Sequence, residues 1–151
     1  MNIPVPSSPI FAGFDASLAP GLQEKWSTLI DSLRQMRQAA VAFSGGVDSG
    51  VLAAAAYYAL GQDMLAITIH SPVESPEDTR IARETAAWVG FPHLVIEHND
   101  LDDPNFAANP PDRCYFCKDF RLGVIRQAAA ERGIQVLLEG SNADDQSDYR
   151  P

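Results

Sequence analysis

The chain has 151 residues, of which 46% are hydrophobic and 21% are charged. This length suits one domain, and this composition excludes a disordered or fibrous protein. Twenty Asp and Glu residues against 11 Lys and Arg residues give a net charge of −9, which disfavours a surface that binds nucleic acid non-specifically. We find no apolar run of about 18 residues and no signal-peptide pattern, so we expect a cytoplasmic protein without membrane contact.

The first part of the chain predicts an arm, a helix, a strand and a second helix. Residues 1–20 contain four prolines and no periodicity, which predicts an extended arm. Apolar residues at three- and four-residue steps predict a covering helix within residues 21–38. Residues 39–43 predict a buried strand, and residues 51–60 predict an apolar central helix. The large aromatic side chains that we assign to the core are Trp26, Tyr57, Tyr58 and Trp88.

The next elements repeat the alternation of strand and helix. Residues 64–69 predict a second strand and residues 93–98 a third. Between them, Ser75 is a helix N-cap, Pro76 suits the first helical position, and Gly90 ends the helix. The sequence therefore predicts a capped helix between the second and third strands.

The remaining segment predicts a loop, a long helix and a fourth strand. Residues 99–112 are polar and contain three prolines, which is typical of a functional loop. A helix is predicted over residues 113–132 and a strand over residues 134–139. Strands that alternate with long helices predict an α/β fold: a three-layer α/β/α, doubly wound parallel sheet of the Rossmann-like type.

Glycines and polar residues follow three of the predicted strands. Ligands bind beyond the C-terminal ends of the strands in such sheets, so residues 44–49, 70–75 and 140–145 are expected to converge. Gly140 at the end of the fourth strand is then a candidate contact for a nucleoside, and Thr68 and His70 lie at the end of the second strand.

Residues 44–49, with the sequence SGGVDS, have the composition of an anion-binding loop. Two glycines allow a tight turn, the following helix offers free N–H groups, and two serines add hydroxyl donors. Asp48 would repel phosphate unless it holds a divalent metal, so the loop predicts phosphate together with magnesium. The pattern lacks the Gly-Lys-Ser/Thr of the kinase P-loop. A Gly-Gly turn that binds nothing is the alternative.

The only two cysteines, Cys114 and Cys117, lie three residues apart at a predicted helix start. Both sulfurs should face one side, and the helix dipole should lower their pKa values, which favours metal ligation or redox chemistry. Two ligands do not complete a metal site, so small buried or redox cysteines remain the alternative. The neighbouring Arg113 and Lys118 are candidate contacts for a phosphate or carboxylate.

Several motifs together resemble one known group of enzymes. SGGVDS after an apolar strand resembles the pyrophosphate loop (PP-loop) of the N-type ATP pyrophosphatases, whose fold is called adenine nucleotide alpha hydrolase-like. Residues 109–118 (NPPDRCYFCK), 139–145 (EGSNADD) and 148–151 (DYRP) then resemble the LarE family of ATP-dependent sulfur transferases. The similarity runs from residue 39 to residue 151. LarE proteins act in the synthesis of the nickel-pincer nucleotide cofactor of lactate racemase.

The resemblance implies a specific reaction. A carboxylate of a pyridinium nucleotide is adenylylated with release of pyrophosphate, and a sulfur nucleophile then forms a thiocarboxylate. The implied cofactors are ATP and Mg²⁺. The sulfur comes from a sacrificial cysteine of the protein in some members and from an iron–sulfur cluster held by three cysteines in others, and the third cysteine would lie outside this chain. Residues 39–151 would form a PP-loop ATP-binding domain truncated at its C-terminal end, acting as a homo-oligomer on a small-molecule carboxylate nucleotide. The alternatives are an NAD synthetase-like amidotransferase, an RNA-thiolation relative and a non-catalytic nucleotide-binding fragment.

The candidate site residues follow from the loop, the strand ends and this resemblance. Asp48, Cys114 and Cys117 are the catalytic candidates, and the two cysteines also form the partial iron–sulfur site. Magnesium would be held by Asp48 with Asp144 and Asp145, although an acidic pair that caps a helix is the alternative for the last two. The expected nucleotide-binding residues are Ala42, Phe43, Ser44, Gly45, Gly46, Val47, Asp48, Ser49, Thr68, His70 and Gly140.

Overall fold

The computed structural model describes residues 11, 12, 14–111 and 113–141. Its helices are α1 (Phe14–Ser17), α2 (Pro20–Gln35), α3 (Val47–Leu60), α4 (Pro76–Val89), α5 (Pro104–Ala107) and α6 (Arg113–Ala130). Its strands are β1 (Ala39–Ala42), β2 (Met64–His70), β3 (His93–Glu97) and β4 (Leu137–Glu139). Within this described part, no helix is both long and apolar enough to cross a membrane.

The four strands form one parallel sheet in the order β3-β2-β1-β4. The chain moves outward from β1 to β3 and then returns past β1 to β4, so the order of the strands reverses beside β1. In parallel sheets this reversal marks the ligand crevice, at the C-terminal ends of the strands. The sheet therefore places the candidate site at the ends of β1 and β4.

Helices cover both faces of the sheet. One apolar cluster joins α2, α3 and α4 to the sheet through residues such as Leu33, Ala56 and Ala86. A second cluster packs α6 on the opposite face through Ile125 and Ala128. The predicted three-layer α/β/α arrangement is confirmed, because the parallel strands are buried from both sides.

The predicted caps of α4 are present in the structure. The Ser75 hydroxyl accepts a hydrogen bond from the Glu77 backbone N–H at 3.2 Å, and Pro76 occupies the first helical position. Gly90 ends the helix in the left-handed conformation, with φ of 91°, and its N–H donates to Ala86 O at 2.8 Å. These local bonds explain why the boundaries of α4 were predictable.

The arm predicted for residues 1–20 is wrong for its described part. Residues 14–17 form the helical turn α1, and Phe11 is buried with its ring centroid 5.2 Å from that of Tyr58. Apolar burial of one aromatic ring outweighs the extended tendency of a proline-rich segment. Residues 1–10 lie outside the described part of the chain.

Two other expectations also differ from the structure. The loop over residues 99–112 contains a 3₁₀ turn, Asp100–Asp102, and the short helix α5. Trp88, which we assigned to the core, is 74% exposed. The buried side of α4 includes Thr79, Ala82 and Ala86, which follow one another at three- and four-residue steps. Trp88 comes only two residues after Ala86, so it lies on another side of the helix and points away from the sheet.

Candidate functional site

The loop after β1 is closed by a ring of hydrogen bonds between its two serines and Gly46. The Gly46 N–H donates to Ser44 Oγ at 3.3 Å, the two serine hydroxyls are 3.0 Å apart, and Ser49 Oγ donates to Gly46 O at 3.1 Å. The Ser44 N–H also donates to Ser49 Oγ at 3.3 Å. The hydroxyls therefore hold the loop in shape, which leaves anion binding mainly to the backbone N–H groups.

The start of α3 supplies those N–H groups. Its N-cap residue is Gly46, and no side chain caps the helix. Gly45 has φ of 85°, and a Cβ there would lie 3.2 Å from the backbone of α4 at Asp78 and Ala82. Only glycine fits this position without strain, because both the dihedral angle and the space exclude a side chain. The uncapped helix start is a site where phosphate binds readily.

Asp48 lies in the first turn of α3 and is exposed. Among the described residues, no group of three His, Cys, Asp or Glu side chains forms a metal cage. Mg²⁺ is commonly bound by one or two carboxylates together with substrate phosphates, and Asp48 beside the uncapped N–H groups fits that mode. Asp144 and Asp145, the other predicted ligands, lie outside the described residues.

Gly140 lies against the beginning of α3. A Cβ at this position would be 2.9 Å from the Ser49 backbone N and 3.1 Å from the carbonyl carbon of Asp48. The glycine allows the end of β4 to contact the loop closely. This packing contact is a role for Gly140 that the predicted nucleoside contact did not include.

We expect Gly140→Ala to lower the free energy of unfolding by about 1–3 kcal/mol, because the added methyl group must displace backbone atoms. Urea unfolding measures this change. Gly123→Ala is the matched control: its Cβ meets nothing within 4 Å inside α6, and alanine favours a helix. A Gly140→Ala protein as stable as wild type would contradict the close packing of β4 on α3.

A cavity of about 550 Å³ lies between the ends of β1 and β2 and the helix α6. This volume is within the range of small-molecule sites. The predicted site residues that line it are Ala42, Phe43, Ser44, Thr68, Arg113, Cys114, Cys117 and Lys118. The predicted residues that lie outside its lining are Gly45, Gly46, Val47, Asp48, Ser49, His70 and Gly140.

Thr68 and His70 make hydrogen bonds within the protein. Thr68 Oγ1 donates to Phe43 O at 2.6 Å and is 2.7 Å from His93 Nε2, so the imidazole donates in return. Burial lowers the pKa of His93 and favours its neutral form. His70 Nδ1 lies 2.8 Å from Thr79 Oγ1. The Thr68 bonds join β2 to Phe43 after β1 and to the first residue of β3, and the His70 bond joins the end of β2 to α4. His93 was not among the predicted site residues.

The two cysteines lie in the first two turns of α6, where they line the cavity. Burial raises the pKa of Cys117, and the nearby Arg121 only partly offsets this effect. The expected lowering of the Cys117 pKa by the helix dipole is therefore wrong, because desolvation disfavours the thiolate. Within the described residues no third metal ligand completes a cluster with the pair, so these residues do not form a full iron–sulfur site.

The two predicted substrate-binding cations differ in their surroundings. Lys118 Nζ donates to Glu139 Oε1 at 3.1 Å and to Ser141 Oγ at 3.4 Å. Arg113 donates from Nη1 to Asn109 Oδ1 at 2.8 Å, and its guanidinium carbon lies 5.6 Å from the centroid of the Phe106 ring. Arg113 is thus held at the cavity wall by one hydrogen bond and one aromatic ring.

An ion-pair cluster around Arg121, which no sequence pattern predicted, lies beside the cavity. Arg121 pairs with both Asp100 and Glu74, and Asp100 is 1% exposed. Burial alone would raise the pKa of Asp100, but hydrogen bonds from Arg121 and Ser71 outweigh it and lower that pKa. The available signal was the spacing of Arg121 four residues after Cys117, which places both on one helix face.

Comparison with known proteins identifies the family. A model of the PP-loop domain matches residues 18–149. The chain is 39% identical over 130 residues to the uncharacterized protein slr1717 of Synechocystis, covering 86% of this chain and 48% of that protein. It is 30% identical over 131 residues to the pyridinium-3,5-bisthiocarboxylic acid mononucleotide synthase of Lactiplantibacillus plantarum, with the same two coverages. The chain therefore spans about half the length of these curated relatives.

Solved structures agree on the fold. The NH3-dependent NAD synthetase of Campylobacter jejuni superposes with a TM-score of 0.67 at 15% identity, covering 82% of this chain and 58% of that one. The NMN synthetase of Francisella tularensis has the same TM-score at 18% identity, covering 84% of this chain and 56% of that one. At these identities the likeness concerns the fold. The match over residues 18–149 and the loop at residues 44–49 show that the chain belongs to the PP-loop domain family, whose members bind ATP.

Proposed function

We propose that this chain is the ATP-binding part of a sulfur transferase that adenylylates a carboxylate. A carboxylate oxygen attacks the α-phosphate of ATP and pyrophosphate leaves; a sulfur nucleophile then attacks the acyl carbon and AMP leaves. The proposed substrate is a pyridinium carboxylate mononucleotide, as in the synthesis of a nickel-pincer nucleotide, and the similarity to the Lactiplantibacillus plantarum synthase supports it.

One observation carries the proposal: Ser44, the first residue of the PP-loop, lines the same cavity as the two cysteines. Ser44 at one side and Cys114 and Cys117 at the other line the same space of about 550 Å³. An acyl adenylate formed at the loop would thus remain within reach of sulfur chemistry. The chain's own residues supply positioning and charge neutralisation, which are the main requirements of phosphoryl-group attack.

The charge of the protein supports a small substrate over RNA. The net charge of −9 does not favour contact with a polyphosphate backbone, whereas Arg113 provides a local cation at the cavity. We infer a small-molecule partner and no nucleic acid. We further propose that the protein is a cytoplasmic homo-oligomer.

The test is to incubate the full chain with ATP, Mg²⁺ and a pyridinium carboxylate mononucleotide, and to measure pyrophosphate and acyl adenylate. Pyrophosphate release should require the carboxylate. Ammonia or tRNA in place of the carboxylate tests the amidotransferase and RNA-thiolation alternatives. Release that is independent of the carboxylate, or that requires one of these other acceptors, contradicts the proposal.

A double variant separates the two chemical steps. Cys114→Ser with Cys117→Ser should release pyrophosphate at a rate within a few-fold of wild type, because the hydrogen bonds of the PP-loop ring are made by Ser44, Gly46 and Ser49. In wild type, attack of a cysteine thiolate on the acyl carbon should release AMP and leave a protein thioester, which mass spectrometry of the intact protein detects. This thioester should be absent from the variant, and its unchanged formation would remove the cysteines from the proposed function.

A further inference from the structure

Arg121 makes two different kinds of ion pair at the wall of the cavity. Its Nε donates to Asp100 Oδ1 at 3.0 Å, and its Nη2 donates to the other oxygen of the same carboxylate. Its Nη1 donates to Glu74, which is 47 residues earlier in the chain. One edge of the guanidinium group therefore forms a bidentate pair with Asp100, and its Nη1 group is bonded to Glu74.

The two carboxylates differ in how firmly they are held. Asp100 is buried, with a side-chain exposure of 1%, and it does not line the cavity. Glu74 has a side-chain exposure of 30%, belongs to the loop between β2 and α4, and does line the cavity. Breaking a buried pair is costly, whereas a partly exposed pair contributes little. Glu74 is thus the exchangeable partner of Arg121.

We propose that Glu74 occupies the binding position of a ligand carboxylate, and that an aromatic carboxylate in the cavity displaces it from Nη1 of Arg121. The exchange keeps Arg121 paired with two carboxylates, because the ligand carboxylate replaces that of Glu74. Asp100 continues to anchor the guanidinium and fixes the direction of its free N–H groups. The inference rests on the proposed function, since it assigns the docking point of the substrate carboxylate.

The surroundings of Arg121 suit an aromatic carboxylate. Phe106, Val73 and Leu122 line the same cavity and offer apolar surface to a ring. Cys117 lies one helical turn before Arg121 and also lines the cavity, so a carboxylate held by Arg121 would lie near a thiol. Two other cations line the cavity: Lys118 is already paired with Glu139 at 3.0 Å, and Arg113 is held by Asn109 and the Phe106 ring.

Binding of benzoate to the full chain without ATP tests the proposal. Benzamide, a neutral molecule of the same shape, is the ligand control, and NMR titration measures both affinities. Glu74→Gln should bind benzoate about fivefold or more tightly than wild type, because the internal competitor has lost its charge. Benzamide should bind equally to both proteins. Glu84→Gln is the matched variant, because Glu84 pairs with the exposed Arg80 away from the cavity.

A second variant tests the cation itself. In the Glu74→Gln background, Arg121→Lys should lose most of the benzoate affinity, since a lysine cannot form the fork that bridges Asp100 and the ligand. Circular dichroism reports whether this double variant is folded. Equal benzoate affinities for wild type and Glu74→Gln, or no binding to either, would overturn the inference. Because ATP is absent, failure of adenylylation alone would reject only the proposed function.

Discussion

Asp48→Asn is expected to slow carboxylate-dependent pyrophosphate release by about 100- to 1000-fold at saturating ATP and Mg²⁺. The change preserves the size of the side chain and removes the charge that would hold Mg²⁺ beside the phosphates at the start of α3. Loss of one group that stabilises the developing charge commonly has an effect of this size. Pyrophosphate release under single-turnover conditions measures it.

The same variant should bind ATP better, not worse, when no metal is present. In EDTA, the Asp48 carboxylate only repels the phosphates, so Asp48→Asn should bind ATP more tightly than wild type. Asp63→Asn is the control, because Asp63 is an exposed acid beyond the other end of α3. An Asp48→Asn protein with the wild-type rate, or with weaker binding in EDTA, would contradict the magnesium role.

Asp100→Ala is expected to lower the free energy of unfolding by about 3 kcal/mol, because it leaves the half-buried Arg121 with one partner fewer. For a chain of this length, that corresponds to a fall in melting temperature of about 6–12 °C. Thermal unfolding followed by circular dichroism measures it. Glu77→Ala, which removes an exposed partner of Arg80, should change the melting temperature little.

The same ion pair gives a pH dependence with a definite sign. The pKa of Asp100 is lower in the folded protein than its ordinary value. Its contribution to stability is therefore complete above that ordinary value and is lost as the pH falls through the folded pKa. The difference in stability between wild type and Asp100→Ala should shrink on acidification below the ordinary carboxyl pKa. A difference that grows in acid would contradict the pairing with Arg121.

Most of the fold was predictable because its signals are local. The caps of α4 lie within a few residues of the helix ends, and the glycine loop follows its strand directly. The exceptions are Phe11 and Trp88, whose positions depend on distant partners. Trp88 is exposed because it lies next to the buried side of its helix and not on it. Phe11 is buried because its aromatic ring packs into the core.

The candidate site was predictable in part for the same reason. The SGGVDS loop and the Cys114–Cys117 pair each occupy a short stretch of chain, so residue type and spacing point to their chemistry. The Arg121 cluster joins residues 21 and 47 positions apart, and no spacing rule connects them. The pKa of Cys117 depends on burial under neighbouring elements, which residue spacing cannot supply.

Residue types and their spacing were enough to predict the alternation of strands and helices and to identify the glycine loop and the acidic character of the chain. These signals are hydrophobic periodicity, capping residues and glycines. They act over a few residues, so they can be recognised without knowledge of the fold. Packing between distant segments, in contrast, brings Ser44 and the cysteines to one cavity, places Gly140 against α3, and holds Arg121 between Glu74 and Asp100. Those features arise where parallel strands bring distant segments to one edge of a sheet, and contact across that edge depends on packing rather than on sequence order.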